Sequence, residues 1–313
     1  MTEKSFIPKV NHVTVKYDHK PGHLLLVDIL PKHMNELQKI VEKLQNLSSV
    51  EYLVENIKLH TFDITNDPQI KKQWALKKTN AEKAWEYNQG AKDIIVAVID
   101  TGIDWKHEDL KKQIWTNENE IPNNGKDDDQ NGFIDDIHGW DFFQNDNNPH
   151  DKTSSRNPGH GTHCAGIIGA TGNNEIGISG IAQNITLMPI RFLGENGSGD
   201  LMGGVRSIDY AIDNKAHIIS ASWGASAQRA QFQPILEAIQ RANEKDIVFV
   251  AAAANDGKSN DSRAVYPANA GLANVISVAA SDSEDQKPSW SNYGKHTVHI
   301  ASPGLNIWST YPK

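Results

Sequence analysis

Residues 93–104 read Asp93-Ile94-Ile95-Val96-Ala97-Val98-Ile99-Asp100-Thr101-Gly102-Ile103-Asp104. An unbroken apolar run of this kind, rich in β-branched residues, predicts a strand buried on both faces, as in a parallel sheet covered by helices. Similar runs recur at 187–192, 218–223, 247–253, 275–280 and 298–301. Between them, Leu201, Val205, Ile208 and Ile212, and then Ile235, Leu236, Ile239 and Ala242, fall at helical spacing. Strand–helix alternation predicts an α/β fold, a three-layer parallel sheet with helices on both faces. Ligands of such sheets bind at the carboxyl ends of the strands. Asp100-Thr101-Gly102 stands at one such end, and Ala253-Ala254-Asn255-Asp256-Gly257 at another.

Upstream, residues 1–60 have a different pattern. A strand is predicted at 23–30, a helix from Met34, Leu37, Ile40, Val41 and Leu44, and further strands at 50–54 and 57–59. These elements make a small α+β module. Residues 61–90 are polar and read as loop, with Asn66-Asp67-Pro68 as turn chemistry and a short helix at 81–85. The chain of 313 residues is acidic, with a net charge of −8, which argues against nucleic acid as a partner. Its single cysteine, Cys164, excludes an intramolecular disulfide and leaves the compartment open. No apolar run reaches the length of a membrane span. The N-terminus lacks the apolar core of a signal peptide, so the protein either stays in the cytoplasm or has lost its signal from this sequence.

Three short stretches carry chemistry. A serine hydroxyl needs a base, and histidine has the pKa for that work. A buried carboxylate fixes the tautomer of the imidazole, and an amide donor stabilises the oxyanion that forms. Asp100 after its strand, His160 in Gly159-His160-Gly161-Thr162-His163-Cys164-Ala165-Gly166, and Asn255 could supply these groups in that order. Taken singly, the aspartate reads as a cap, the histidine as an exposed polar residue and the asparagine as a turn former. Together and in this order, the motifs closely resemble those of the subtilisin-like serine proteases, from about residue 50 to the last residue.

The resemblance implies roles. Asp100 and His160 match the aspartate and general base of the family's triad, and Asn255 its oxyanion donor. His163 is read as structural, and Cys164 as a small core residue at a position that some members fill with cysteine. Gly197, Ser198 and Gly199, with Ser222, Trp223 and Gly224, match the two segments between which a peptide substrate lies as an added strand. Ala252, Ala253 and Ala254 would complete the pocket walls. Ala254 and Ala225 stand where the family usually has glycine.

Asp127-Asp128-Asp129-Gln130-Asn131-Gly132-Phe133-Ile134-Asp135-Asp136 is spaced like the start of an EF-hand loop, although His138 replaces its final glutamate. Ca²⁺ is expected at Asp127, Asp129 and Asn131, with Asp135 or Asp136. Asp146, Asn148 and Asp151 could form a second site, but ordinary loop residues are the preferred reading. By resemblance, residues 1–62 are a pro-domain acting as inhibitor and folding template, and 63–313 a peptidase domain that acts on polypeptides after cleavage within 61–66. The resemblance favours secretion, with the cytoplasm as the alternative. The family's nucleophile lies in a Gly-Thr-Ser motif opening a buried helix, and that motif occurs nowhere in residues 1–313. The expected peptidase domain is therefore incomplete at its C-terminus, inactive alone, and short of a helix over its sheet. The alternative is a pseudoprotease or peptide-binding fragment.

Overall fold

The computed structural model describes residues 11–19, 24–29, 37–56 and 65–313. The chain divides into two compact units, Met1–Asp63 and Ile64–Lys313. In the first, β1 (Val13–His19) and β2 (Leu24–Ile29) pair antiparallel, from Val13 opposite Ile29 to His19 opposite Leu24, with an irregularity between Val15 and Tyr17. Helix α1 (Leu37–Gln45) buries Ile40 and Leu44, as its apolar spacing predicts. Met34 and the expected strand at 57–59 lie outside the described residues. The expected strand at 50–54 does not form: this stretch has no ladder partner among the described residues, and Tyr52 and Val54 are 60% and 73% exposed. Apolar alternation there marks an exposed tail, which periodicity alone cannot distinguish from a strand.

The second unit is built on seven parallel strands in the order β11-β10-β8-β6-β3-β5-β4. They are β3 (Ile95–Asp100), β4 (Trp140–Asp141), β5 (Thr186–Arg191), β6 (Ile218–Ala221), β8 (Val248–Ala252), β10 (Val275–Ser281) and β11 (Ile300–Pro303). A short antiparallel pair, β7 (Ala225–Ser226) and β9 (Val265–Tyr266), lies apart from them. β3 lies inside the sheet, with β5 on one side and β6 on the other. The strand order turns about β3, so its carboxyl end is the switch point at which such sheets open a crevice. Short helices α2 (Trp74–Lys78) and α3 (Ala81–Trp85) precede β3. The polar reading of 61–90 finds α3 and overlooks α2, whose Leu76 is 3% exposed in a satellite core with Ile70 and Ala81. β4 is too short to carry a period.

The two faces of the sheet differ. On one, α5 (Leu201–Asp213) and α6 (Gln233–Asn243) pack Ile208, Ile235 and Ile239 against Ala97, Ile99, Met188, Ile190, Ile219, Phe249 and Ala251, all 0–1% exposed. Each large side chain buried in this way contributes roughly 1.5–3 kcal/mol. On the other, α4 (His160–Gly169) covers β3 and β5 through Ala165, with Val96, Val98 and Leu187 in one cluster. That cover stops at β6. Ile218, Ser220, Val248, Val250 and Val278 follow in register on the same face and are only half-buried, while Ile276 and Ile300 are 39% and 56% exposed. Among the described residues, no helix lies over this part of the sheet.

Candidate active site

Strand β3 ends in Asp100, which is 1% exposed. Its Oδ1 accepts the Thr101 N–H at 2.7 Å and lies 2.7 Å from His160 Nδ1. The imidazole is about half exposed, with 49% of its side chain accessible. With the proton on Nδ1 held by Asp100, Nε2 is left as the acceptor, the tautomer a general base needs. The hydrogen bond to Asp100 raises the His160 pKa, and burial opposes it only in part.

Several local features bring His160 to this point. Asn157 Oδ1 accepts the Gly159 and His160 N–H groups and so satisfies the start of α4. Gly159 has φ +109, a backbone region that L-residues rarely adopt. A Cβ at Gly161 would run into the Gly102 carbonyl oxygen and lie 3.1 Å from Asp100 Cβ, so only glycine lets the helix start lie flat against the strand end. Asp151, 1% exposed, accepts from Thr162 N at 2.9 Å, Thr162 Oγ1 at 2.8 Å and Asn157 Nδ2 at 3.1 Å. It is thus a satisfied internal acceptor. Asp146 instead accepts the Asn148 N–H at 3.0 Å.

The neighbouring groups read as structural. His163 Nε2 lies 3.2 Å from the Ile307 carbonyl, its ring meets Tyr311 edge-on, and burial lowers its pKa. The Cys164 Sγ donor atom lies within 4.8 Å of those of Asp100 and His160, and its thiol points to Ser222 Oγ at 3.8 Å. Burial raises the thiol pKa strongly, so this cysteine stays protonated.

Gly197, Ser198 and Gly199 meet Trp223, Gly224 and Ala225 around a cavity of about 370 Å³, floored by Phe192, Leu193, Phe232 and Ile235. Trp223 is fixed by its Nε1 hydrogen bond to the Ile99 carbonyl at 2.9 Å and by edge contact with Phe192. Ser222 and the stretch Ala252, Ala253 and Ala254 are not among the lining residues. Ala253 is 1% exposed and its backbone bonds to Val278 and Asn260. Asn255 follows β8 at the same carboxyl edge and is exposed. Ala254 before it has φ +88, which explains why glycine suits that position.

The acidic loop is folded around its own side chains. Asp127, Asp129 and Glu120 bring carboxylate oxygens within 4.8 Å of one another, and no described ion pair reaches them. Asn131 Nδ2 donates to Asp129 and Asp136. Asp136, fully buried, also accepts from Tyr210 Oη at 2.6 Å and Asn117 Nδ2 at 2.8 Å. Asp135 turns the other way and caps Asn124 N and Gly125 N. Glu120 escapes the sequence reading because it lies outside the aspartate run. The only signal for it is the chain's need to return there.

The subtilase family profile matches residues 91–312. Thermitase of Thermoactinomyces vulgaris is 35% identical over 79% of this chain and 76% of its own length. A thermophilic serine proteinase of a Bacillus species is 34% identical over 88% of this chain, which spans 60% of that protein. A solved protease structure from Pseudoalteromonas arctica superposes with a TM-score of 0.60 at 28% identity, over 77% of this chain and 72% of its own. With its parallel sheet, its paired Asp100 and His160, and these matches over more than half its length, the chain belongs to the subtilase family.

Proposed function

We propose that the chain is the N-terminal inhibitory unit and most of the peptidase domain of a subtilisin-type serine endopeptidase, whose nucleophilic serine lies outside residues 1–313. The observation that carries this reading is the 2.7 Å contact between Asp100 and His160, with the imidazole half open to solvent at the switch point of the sheet. In the reaction, His160 Nε2 takes the proton of the serine hydroxyl as its oxygen attacks the scissile carbonyl. Asp100 stabilises the imidazolium, and the Asn255 amide donates to the oxyanion. His160 then returns the proton to the leaving amine. A peptide lies as an added strand between the 197–199 and 222–224 segments, with a side chain in the cavity they enclose.

The open sheet face supports a place for the serine-bearing helix. Ile276 and Ile300 stand exposed where such a helix would cover them, beside α4. Residues 1–62 act as the inhibitor, and the exposed tail at 50–56 is the segment that would lead into a cleavage site.

The donor set at the acidic loop fits a hard cation. Three carboxylates crowd together with no basic partner among the described residues, and an asparagine sits beside them. Glu120, Asp127, Asp129 and Asn131 would hold Ca²⁺, with Asp136 behind them and Asp135 serving the turn. The ion would neutralise the cluster and brace the loop against Tyr210.

Residues 1–313 should cleave no casein alone, and should gain activity when a peptide carrying the Gly-Thr-Ser helix is added. Activity of the unsupplemented chain that a serine-directed phosphonate abolishes would refute the assignment of the nucleophile. Peptide binding without cleavage in the complemented protein would favour a pseudoprotease.

A further inference from the structure

The turn that carries Asn255 is held from behind by two amides that no step above uses. Asn292 and Asn260 are 1% and 2% exposed. Asn292 Oδ1 accepts from Asp256 N at 2.9 Å and Lys258 N at 3.0 Å, while its own N–H donates to the Ala254 carbonyl at 2.9 Å. Asn292 Nδ2 donates to Asn260 Oδ1 at 2.9 Å, and Asn260 Nδ2 donates to the Ala253 carbonyl at 2.9 Å. Both neighbours of Asn255 are therefore tied to this pair, and Asn255 is left free to project. The relay has one polarity. Turning either amide over would set donor against donor at Asp256 and Lys258, or acceptor against acceptor at Ala253.

The backbone shows why the turn needs holding. Ala254, at φ +88, lies where a residue with a Cβ is strained, and such conformations persist only when the surroundings over-determine them. An oxyanion donor must also sit within about 0.5 Å of its working position.

We infer that Asn292 and Asn260 are positioning residues for Asn255, an amide relay that holds the strained turn so that the Asn255 side chain meets the developing oxyanion. The inference rests on the oxyanion role proposed for Asn255. Its test is a double-mutant cycle in the protease with its nucleophile segment present, reading kcat and KM for Asn255→Ala, Asn292→Ala and the pair. Loss of one oxyanion donor costs about 10²–10³ in kcat, and misplacement by about 1 Å about 10². Asn292→Ala should lower kcat about 10²-fold with KM within about twofold, and should lower it no further in the Asn255→Ala background. Backbone ¹⁵N order parameters at 254–257 should fall from about 0.85 to below about 0.6. Full additivity, or an unchanged kcat in Asn292→Ala while Asn255→Ala is damaged, overturns the inference alone. An undamaged Asn255→Ala overturns the oxyanion reading and the inference with it. If Asn292→Ala does not fold, Asn292→Asp goes through the same cycle. It keeps the acceptor oxygen but opposes two acceptors at Asn260, so kcat should fall about tenfold, an order of magnitude less than for loss of a donor. No fall in that variant also overturns the inference.

Discussion

Replacing Asp141 by asparagine strands a buried charge. Asp141 and Arg191 are both 0% exposed and paired through Oδ2 and Nη1, on the adjacent strands β4 and β5. Arg191 Nε and Nη2 have no hydrogen-bond partner, and its other carboxylate, Glu195, is 3.9 Å away. Asp141 Oδ1 meanwhile accepts the Phe143 and Gln144 N–H groups. Asparagine keeps that Oδ1 but leaves the guanidinium without its counter-charge. Breaking one side of a buried pair costs about 3–5 kcal/mol. At about 2–4 °C per kcal/mol for a domain of this size, Tm should drop by roughly 6–20 °C. Adding Arg191→Met removes the stranded charge while the retained amide still serves both backbone donors. The double variant should therefore recover to within about 1–2 kcal/mol of the parent, since well-packed apolar replacement of a buried pair is often neutral. Calorimetry of the three variants at fixed Ca²⁺ decides the matter. A Tm change below about 2 °C in Asp141→Asn, or additive losses in the double variant, would mean that the guanidinium is solvated in a way the packing does not account for.

The His160 imidazole should titrate by NMR above its ordinary value of 6.5, and Asp100→Asn should lower that midpoint. Because the folded pKa is raised, the stability this pair contributes is fully present below about 6.5 and is lost as pH rises through the folded value, so Asp100→Asn should cost most at the acid end. Chelation of Ca²⁺ should lower Tm, by the equivalent of about 2.7 kcal/mol when the ion had been at a hundred times its Kd. Glu120→Gln should lose most of that response, and an unchanged response removes Glu120 from the site. Gly161→Ala forces a methyl against the Gly102 carbonyl, so about 1–3 kcal/mol of stability should go. With it should go the raised His160 midpoint; a normal titration in that variant would show that the helix start can shift without breaking the Asp100 contact.

The parallel sheet was legible because a strand buried on both faces has no polar side to hide, so 94–99 and its successors stand out as apolar runs. Asp100 and His160 were legible because each closes or opens such an element within a short, dense motif. The exposure of Ile276 and Ile300 is not readable from their apolar runs, which look like those of strands covered on both faces. What escaped was assembled by chain geometry rather than by a local motif. Glu120 joins the aspartates only because the loop doubles back, and Asn292 reaches the Asn255 turn across 36 residues from Asp256. An isolated asparagine reads as a turn residue wherever it stands, and only burial distinguishes one that works inside. The stretch 50–56 reads as a strand for the opposite reason: its apolar residues are there, but among the described residues no strand pairs with them.

Strand β3 is bonded on both edges and covered on both faces, from Val96 at 5% to Ile99 at 0% exposed. Local fraying cannot release its amides, so they should exchange with solvent only when the whole domain opens, whereas those of the edge strand β11 should exchange far sooner. Asp100 rides on the end of that most protected strand. The Asp100–His160 contact should therefore be among the last features lost on warming, going only with global unfolding.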